Sequence, residues 1–541
     1  MAVFMQSYRN CRWQQWSLLV LGMTLCLGTV GRWALQAAER VLEVAAHGIG
    51  DVDLMWPTST NRTYQFQRGA VTGIGIVWTN ATPPFVGSGR SVTCNLWDQS
   101  ATSGLFRVEA TGSGRRETPA TGMELTLVDE DAIGYASFQS HNRKVVATSD
   151  GIFITYNKRA SSSYNNQTWR LVRSTDGGAT FQVIFEGDHS GHTPPLEADS
   201  QGRLYVITTH YSPNLSLGEA RVLRFERGAN TPTTIAILAN GYSGKMCAVF
   251  DQSQNSLFVS CGRSGDRDNT LFVVAADGVL TRAVPLFTYH EGQHAFFHYP
   301  HLDIGESGSL AFAWTTSPYP EYYPHFGYWS IHGMRSLDAG ANWRKFDQTS
   351  LALPFFADDT GPSDRITADD EFTRDPLLGS MMEHQGKTHF VYWRDGQPQE
   401  QMYVRINNQS GAREVVRSGV CDAWANTLTG FDAGFDGAFS RVKGGNRLFL
   451  TTSIEGQTRL AIAATEDNGD SWREYALADT RFMRGKYHGV YSVSPARETT
   501  PDGWLIGVFT RLEANSESFF ERGSGKLYFF RARAGASIPL H

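Results

Sequence analysis

Histidine, tyrosine and arginine are the residues of this chain with chemistry to offer, and they recur in similar company. His189 and His192 stand in the run Asp188-His189-Ser190-Gly191-His192-Thr193-Pro194-Pro195, with His210 one strand-length further on. His298-Tyr299-Pro300-His301 repeats the pairing of imidazoles and adds a phenol, and Tyr491 supplies a second phenol near the C-terminus. An imidazole titrates near neutrality, so it can give or take a proton in the same reaction, and a positioned phenol can handle a second proton. Arg143, Arg263, Arg394 and Arg459 are permanently charged and shaped to grip a carboxylate. Such a set suits proton transfer beside a bound anionic, hydroxylated ligand, such as an acidic sugar. For any single one of these residues the competing role is internal pairing along a polar channel.

These residues lie hundreds of positions apart, so a repeated architecture must bring them together. From about residue 135 the sequence repeats with a period of roughly 45–60 residues: an inner strand, a polar turn, then a second apolar strand. Inner strands are expected to start near Asn142, His192, Lys245, Tyr299, Asp375, Asp436 and Tyr491. The second strands read as Ile152–Tyr156, Leu204–His210, Leu257–Cys261, Leu310–Thr315, Thr388–Trp393, Leu448–Ser453 and Trp504–Thr510. Repeats of this length in an all-β chain give a β-propeller, with seven blades expected and six as the alternative if one repeat is an insertion. In that architecture inner strands begin, and second strands end, on one face. The candidates would then converge on one mouth, with Asn142, Asp188, His298, Arg374, Asp375, Asp436 and His488 at strand starts. At second-strand ends stand Tyr156, Tyr211, Trp393, Glu455 and Arg511.

Three short stretches share the pattern hydroxyl, x, Asp, x, Gly, x, x, aromatic: Ser174 to Phe181, Ser336 to Trp343 and Thr465 to Trp472. The hydroxyl and carboxylate accept hydrogen bonds from nearby backbone amides, the glycine supplies a positive φ, and the aromatic packs the returning strand. Asp176 to Asp338 spans three repeats and Asp338 to Asp467 two. The pattern resembles the Asp box of the sialidase (BNR-repeat) superfamily, whose members are β-propellers, over about residues 135–534. In that family the box is a structural hairpin facing away from the active site.

The resemblance offers two catalytic templates. Under the sialidase template three arginines hold the substrate carboxylate, a Tyr is activated by a Glu, and an Asp is the acid. Arg143 stands where the first arginine would, Arg459 resembles the third, and Val490-Tyr491-Ser492 resembles the region of the nucleophilic tyrosine. Thr315 or Thr316 occupies the middle arginine's place, no Asp lies between Tyr156 and Arg173, and no clear Glu partners the tyrosine. The second template is the seven-bladed, ulvan-lyase-like branch, where His, Tyr and Arg carry out β-elimination on a uronic acid. The stretch bearing His189, His192 and His210 resembles its His-bearing unit, and His298-Tyr299-Pro300-His301-Leu302 its Tyr-bearing unit. Thr315 again stands in place of an arginine, which Arg263 or Arg394 would have to replace. The resemblance thus implies His192, His210, Tyr299 and Tyr491 as catalytic candidates, and Arg143, His189, Arg263, His301, Arg394 and Arg459 as substrate-binding ones. A third reading is a glycan- or protein-binding propeller without catalysis.

Composition sets the boundaries. The chain has 541 residues, 54 glycines, 12% aromatic and 19% charged residues, which suits many short strands joined by turns. Its net charge is −6 and it carries no basic run or RNA-reading motif, so nucleic acid is not an expected partner. Residues 1–38 read as a signal peptide or an uncleaved N-terminal anchor: Arg9 and Arg12 precede an uncharged run from Trp13 to Gly31, and small residues follow at Ala34, Ala37 and Ala38. The remainder is expected to be exported, with a charge of −9 once the three arginines of that segment are removed. Residues 39–122 look like a small β-rich region and linker, either a sandwich or an apron on the propeller formed by 123–541. Its expected strands are Tyr64–Phe66, Val71–Trp78, Ser91–Trp97 and Leu105–Glu109. Cys247 and Cys261 flank a polar turn and are expected to face each other across a hairpin as a disulfide, with Cys94 and Cys421 left unpaired. No CxxC or HxxxH pair points to zinc, and no cofactor is implied.

Overall fold

The structure, a computed structural model, describes residues 122–134, 136–138, 142–158, 167–190, 193–210, 218–242, 246–262, 268–288, 295–318, 328–357, 361–371, 374–394, 400–421, 437–454, 459–479, 490–512 and 524–534. Some strand ends are described by backbone alone, as are nine strands before residue 112. The chain divides into two compact units, one of Met1–Pro119 with Arg481–Gly485 and one of Ala120–Thr480 with Lys486–His541. No helix among the described residues is long and apolar enough to cross a membrane.

The first unit holds two antiparallel sheets. One orders the strands Trp16–Ser17, Leu105–Thr111, Thr63–Thr72 and Gly75–Asn80, with Phe85–Val86 on Thr63–Thr72; the other orders Arg32–Ala37, Arg40–Gly48, Asp51–Pro57 and Ser91–Trp97. Val71–Trp78, expected as one strand, is divided between Thr63–Thr72 and Gly75–Asn80, which pair antiparallel with Thr72 opposite Gly75.

The second unit is an all-β propeller. Its described strands form six sheets, and the eight-stranded one contains two four-strand arrays. The inner strands are Val145–Thr148, Leu196–Ala198, Met246–Asp251, Ala295–Ile304, Leu377–His384, Gly437–Arg441 and Val490–Pro495. Each packs beside the next in sequence. The last returns to the first through Arg143 Nη1 donating to the Pro495 carbonyl (3.1 Å) and Ser494 Oγ donating to the Asn142 carbonyl (3.2 Å). The unit's ends meet in one sheet: Glu124–Ile133 pairs with Ser524–Arg533, with Glu124 opposite Arg531. The first strand of the unit thereby becomes the outermost strand of the last repeat.

Apolar cores fill the gaps between successive repeats. Phe153 and Trp169 of the first pack with Leu204 and Phe225 of the second. Ile154 and Tyr156 pack with Val508 and Phe529 of the last repeat. Because sheets are covered on both faces, Met246–Asp251 and Ser256–Cys261 are buried at every position, whereas the outer strand Leu280–Thr288 is largely exposed.

The three recurrent hairpins join third to fourth strands on the face where inner strands end, opposite the mouth. In each, the hydroxyl donates to the Asp (Ser174 and Ser336 at 2.8 Å, Thr465 at 2.7 Å) and accepts from the Gly amide, while the Asp accepts the amide four residues on. These bonds hold the Asp176 carboxyl below its usual range, the Thr180 hydroxyl contributing most. The glycine also allows a close approach between repeats. A Cβ at Gly178 would lie 2.1 Å from the ring of Phe529, one at Gly340 2.3 Å from Leu271, and one at Gly469 2.0 Å from the Tyr403 hydroxyl. Phe529, Leu271 and Tyr403 all lie on the third strand of the preceding repeat, so each hairpin is seated against its neighbour.

The expected Cys247–Cys261 disulfide is absent. Register puts Cys261 opposite Met246 and Cys247 opposite Ser260, so the two side chains leave opposite faces of the sheet. Cys247 enters the core between repeats three and four, and Cys261 that between two and three.

Candidate active site at the mouth

The mouth is where inner strands begin and second strands end, and two inner strands are irregular there. Pairing of Ala295–Ile304 with Leu310–Pro318 slips between His298 and His301, and Tyr299 adopts a φ of 49°. Val490–Pro495 slips between Tyr491 and Ser494, with Ser492 at 54°. Bulges of this kind re-aim side chains and are common beside active sites.

Tyr299 is half-buried, its hydroxyl 3.2 Å from that of Tyr328, and the two rings meet edge to face at 5.9 Å. Phe138, on the connection entering the first repeat, meets the Tyr299 ring edge-on at 6.4 Å. Leu377 and Trp393 pack below both tyrosines. The Tyr328 amide donates a short hydrogen bond to the Asp375 carboxylate, which anchors the backbone that carries the second phenol. Trp393 is 7% exposed and its indole Nε1 has no hydrogen-bond partner.

His301 is buried one turn of the strand pattern beyond Tyr299. Burial, reinforced by the charge of Arg143, holds its imidazole well below its usual pKa, so the ring is neutral. Arg143 is itself buried, and its guanidinium is pushed down to about 9 by desolvation and by Arg497, against the pull of Asp303 and Glu197. The structure therefore brings Arg143 and His301 together, within the ring of inner strands.

Arg394 ends a second strand and is held by carboxylates: Nη1 to Glu371 (2.5 Å) and Nη2 to Glu400 (2.6 Å). Tyr392 donates to both oxygens of the buried Glu371 at 2.9 Å. Arg459 is half-buried at the mouth end of Arg459–Thr465. His189, His210 and Tyr491 lie on strands whose backbone runs to the mouth, their side chains outside the described residues, and His192 and Arg263 fall outside the described residues altogether. Thr315 and Thr316 are fully buried, and Thr315 accepts the Leu378 amide.

Sequence reading missed the ion network at the opposite end of the inner strands. Arg497 bridges Glu197 (2.8 Å) and Asp303 (3.1 Å), Arg441 lies 3.5 Å from Asp303, and Arg335 meets Glu383 at 2.7 Å. The signal was available: Glu197, Asp303, Glu383, Arg441 and Arg497 all occur at or just after the ends of inner strands. Among the described residues no cluster of His, Cys, Asp and Glu is arranged to hold a metal.

No protein-family model matches the sequence, and no curated protein does. Among solved structures the fold is similar to that of a PL25 polysaccharide lyase, an ulvan lyase, bound to -[GlcA(1-4)Rha3S]-, with a TM-score of 0.52 and 9% identity over 75% of this chain and 95% of that one. A second structure of the PL25 ulvan lyase gives 0.50, again at 9% identity over 75% and 95%. An α-L-arabinofuranosidase, Arb93A from Fusarium graminearum with an iminosugar inhibitor, gives 0.40 at 13% identity over 75% and 96%. The likeness to the lyase is one of fold.

Proposed function

We propose that the protein is an exported, seven-bladed member of the Asp-box superfamily that binds an anionic glycan at its mouth and cleaves it by elimination at a uronic acid. The seven-blade count takes the eight-stranded sheet as two blades. The observation that carries the catalytic reading is the Tyr299–Tyr328 hydroxyl pair, set on a strained bulge over Trp393, with His301 close by in the same strand.

In such a reaction the proton at C5 is removed, its electron pair forms the C4–C5 double bond, the C4–O4 bond breaks and the leaving oxygen takes a proton. Tyr299 would handle one proton, and His192 or His210 the other. His301, held neutral, orients the strand or the sugar, and His189 and Arg263 join the substrate-binding wall. Two observations favour elimination over sialidase-like hydrolysis with Tyr491 as nucleophile. Arg143, its first substrate arginine, is turned into the protein beside Arg497, and the place of the middle arginine is taken by Thr315 or Thr316, both fully buried. The lyase of similar fold was solved with a saccharide of the kind proposed here.

The test is incubation of the full chain with a panel of uronic-acid polysaccharides and sialosides. New ultraviolet absorbance from an unsaturated sugar supports elimination. Released sialic acid would replace it with hydrolysis, and binding without turnover on either class would leave a glycan-binding propeller.

A further inference from the structure

Among the described residues, buried arginines have anionic company, with one exception. Arg335 meets Glu383, Arg405 meets Asp470 at 2.7 Å and Glu414 at 3.2 Å, and Arg441 lies between Asp303 and Glu498. Arg143 donates to a carbonyl with Asp303 and Glu197 in electrostatic reach. Arg511 is 5% exposed, its Nε has no partner, and among the described residues no carboxylate or carbonyl receives a hydrogen bond from it. A buried cation without a counter-charge is costly to a fold, so its retention asks for an anion from outside.

Its position narrows what that anion meets. Arg511 lies at the mouth end of the second strand of repeat seven, directly opposite Val490. Val490 and Phe509 belong to the core between repeats six and seven, whereas Ile506 and Val508 belong to the core on the other face. Alternation therefore turns Arg511 toward repeat six. On the facing strand Leu448–Ile454, Phe449 enters that same core, while Leu448, Leu450 and Ile454 enter the core shared with repeat five. Thr451 and Ser453 share the face of Phe449. Both are fully or almost fully buried, and Thr451 Oγ1 and Ser453 Oγ have no hydrogen-bond partner. That strand packs against Val490–Pro495. One guanidinium whose Nε has no partner and two hydroxyls without partners thus lie on the two walls of a single junction.

We propose that this junction binds an oxyanion, with Arg511 as its cation and Thr451 and Ser453 as donors. Resting on the glycan reading of the mouth, the anion is the acidic group of the sugar, a carboxylate or a sulfate ester. The site supplies the arginine that the sequence lacks at Thr315 from a different repeat.

Thermal unfolding and calorimetric titration of the full chain test this with sodium glucuronate, sodium sulfate and glucose, ionic strength being matched with chloride. Glucuronate, sulfate or both should raise the unfolding temperature above the chloride and glucose controls. A response to glucuronate alone assigns a carboxylate, and one to sulfate alone a sulfate ester. Arg511→Met should lose that response, with anion affinity at least tenfold weaker, and should unfold no lower than the wild type without anion, because an uncompensated charge has been removed. Ser453→Ala should weaken the response with little change in basal stability. An Arg511→Met protein that unfolds earlier without anion, or keeps the full response, would overturn the site, as would a wild type that responds to neither anion. If the wild type responds but cleaves no glycan, the cleavage reading fails and the site stands. If it cleaves uronic polymers and Arg511→Met leaves KM unchanged, the site fails and the cleavage reading stands.

Discussion

Replacing Gly178 with Ala probes how the hairpins hold the ring of repeats together, and Gly386 provides its control. Both glycines have positive φ, 90° and 74°, so alanine at either position is forced into the left-handed region at about 1–2 kcal/mol. Their surroundings differ. Nothing lies within 4 Å of a Cβ at Gly386, whereas a Cβ at Gly178 would meet three ring atoms of Phe529 at 2.1, 2.7 and 2.9 Å. That ring is 1% exposed and packs against Phe181 at a centroid distance of 5.2 Å, so it cannot slide away without opening the core between the first and last repeats. Overpacking a filled core adds about 1–3 kcal/mol, giving about 2–5 kcal/mol for Gly178→Ala against about 1–2 for Gly386→Ala. Urea unfolding followed by tryptophan fluorescence measures both. In the Gly178→Ala background, Phe529→Leu should cost less than it does alone, because the smaller side chain makes room for the methyl. Equal losses for the two glycines, with additive behaviour of Phe529→Leu, would refute the seating of the hairpin against the last repeat.

Other outcomes follow from the same contacts. Tyr299→Phe should lower turnover on a uronic-acid polymer by about two to four decades, the worth of a positioned proton carrier, and Tyr328→Phe by less; initial rates decide the order. Asp303→Asn should cost about 3–5 kcal/mol in denaturant unfolding, because the counter-charge shared by the buried Arg441 and Arg497 is lost. The folded-state pKa values of Asp176, Asp338 and Asp467 lie below the usual range, so their contribution is complete above about pH 4 and is lost as pH falls through the folded values. Asp176→Asn with Asp338→Asn and Asp467→Asn should therefore flatten the loss of stability between neutral pH and pH 3, and an unchanged slope counts against the assignment.

The sequence by itself determined the local devices. Each hairpin closes its hydrogen bonds within seven residues, from Ser174 to Thr180, from Ser336 to Asn342 and from Thr465 to Ser471, so residue type and spacing carry the whole geometry. The second strands were legible for the same reason: short apolar runs between turns, such as Leu204–His210 and Leu448–Ile454, persist as strands whatever packs on them. The tertiary structure decided everything that depends on which face meets which neighbour. Register sent Cys247 and Cys261 to opposite faces, although fourteen positions of sequence suggested a bridge. Glu124–Ile133 became the outer strand of a repeat about 400 residues later, a pairing that no local pattern records. Arg143, Arg394 and Arg511 look alike in the sequence. The first is turned toward Pro495 and Arg497 and the second is held by Glu371 and Glu400, whereas the third has no described partner. Whether a guanidinium is spent on the fold or left for a ligand is set by the groups that folding brings beside it: carboxylates of its own repeat for Arg394, and for Arg143 the last repeat, which only closure of the ring brings within reach.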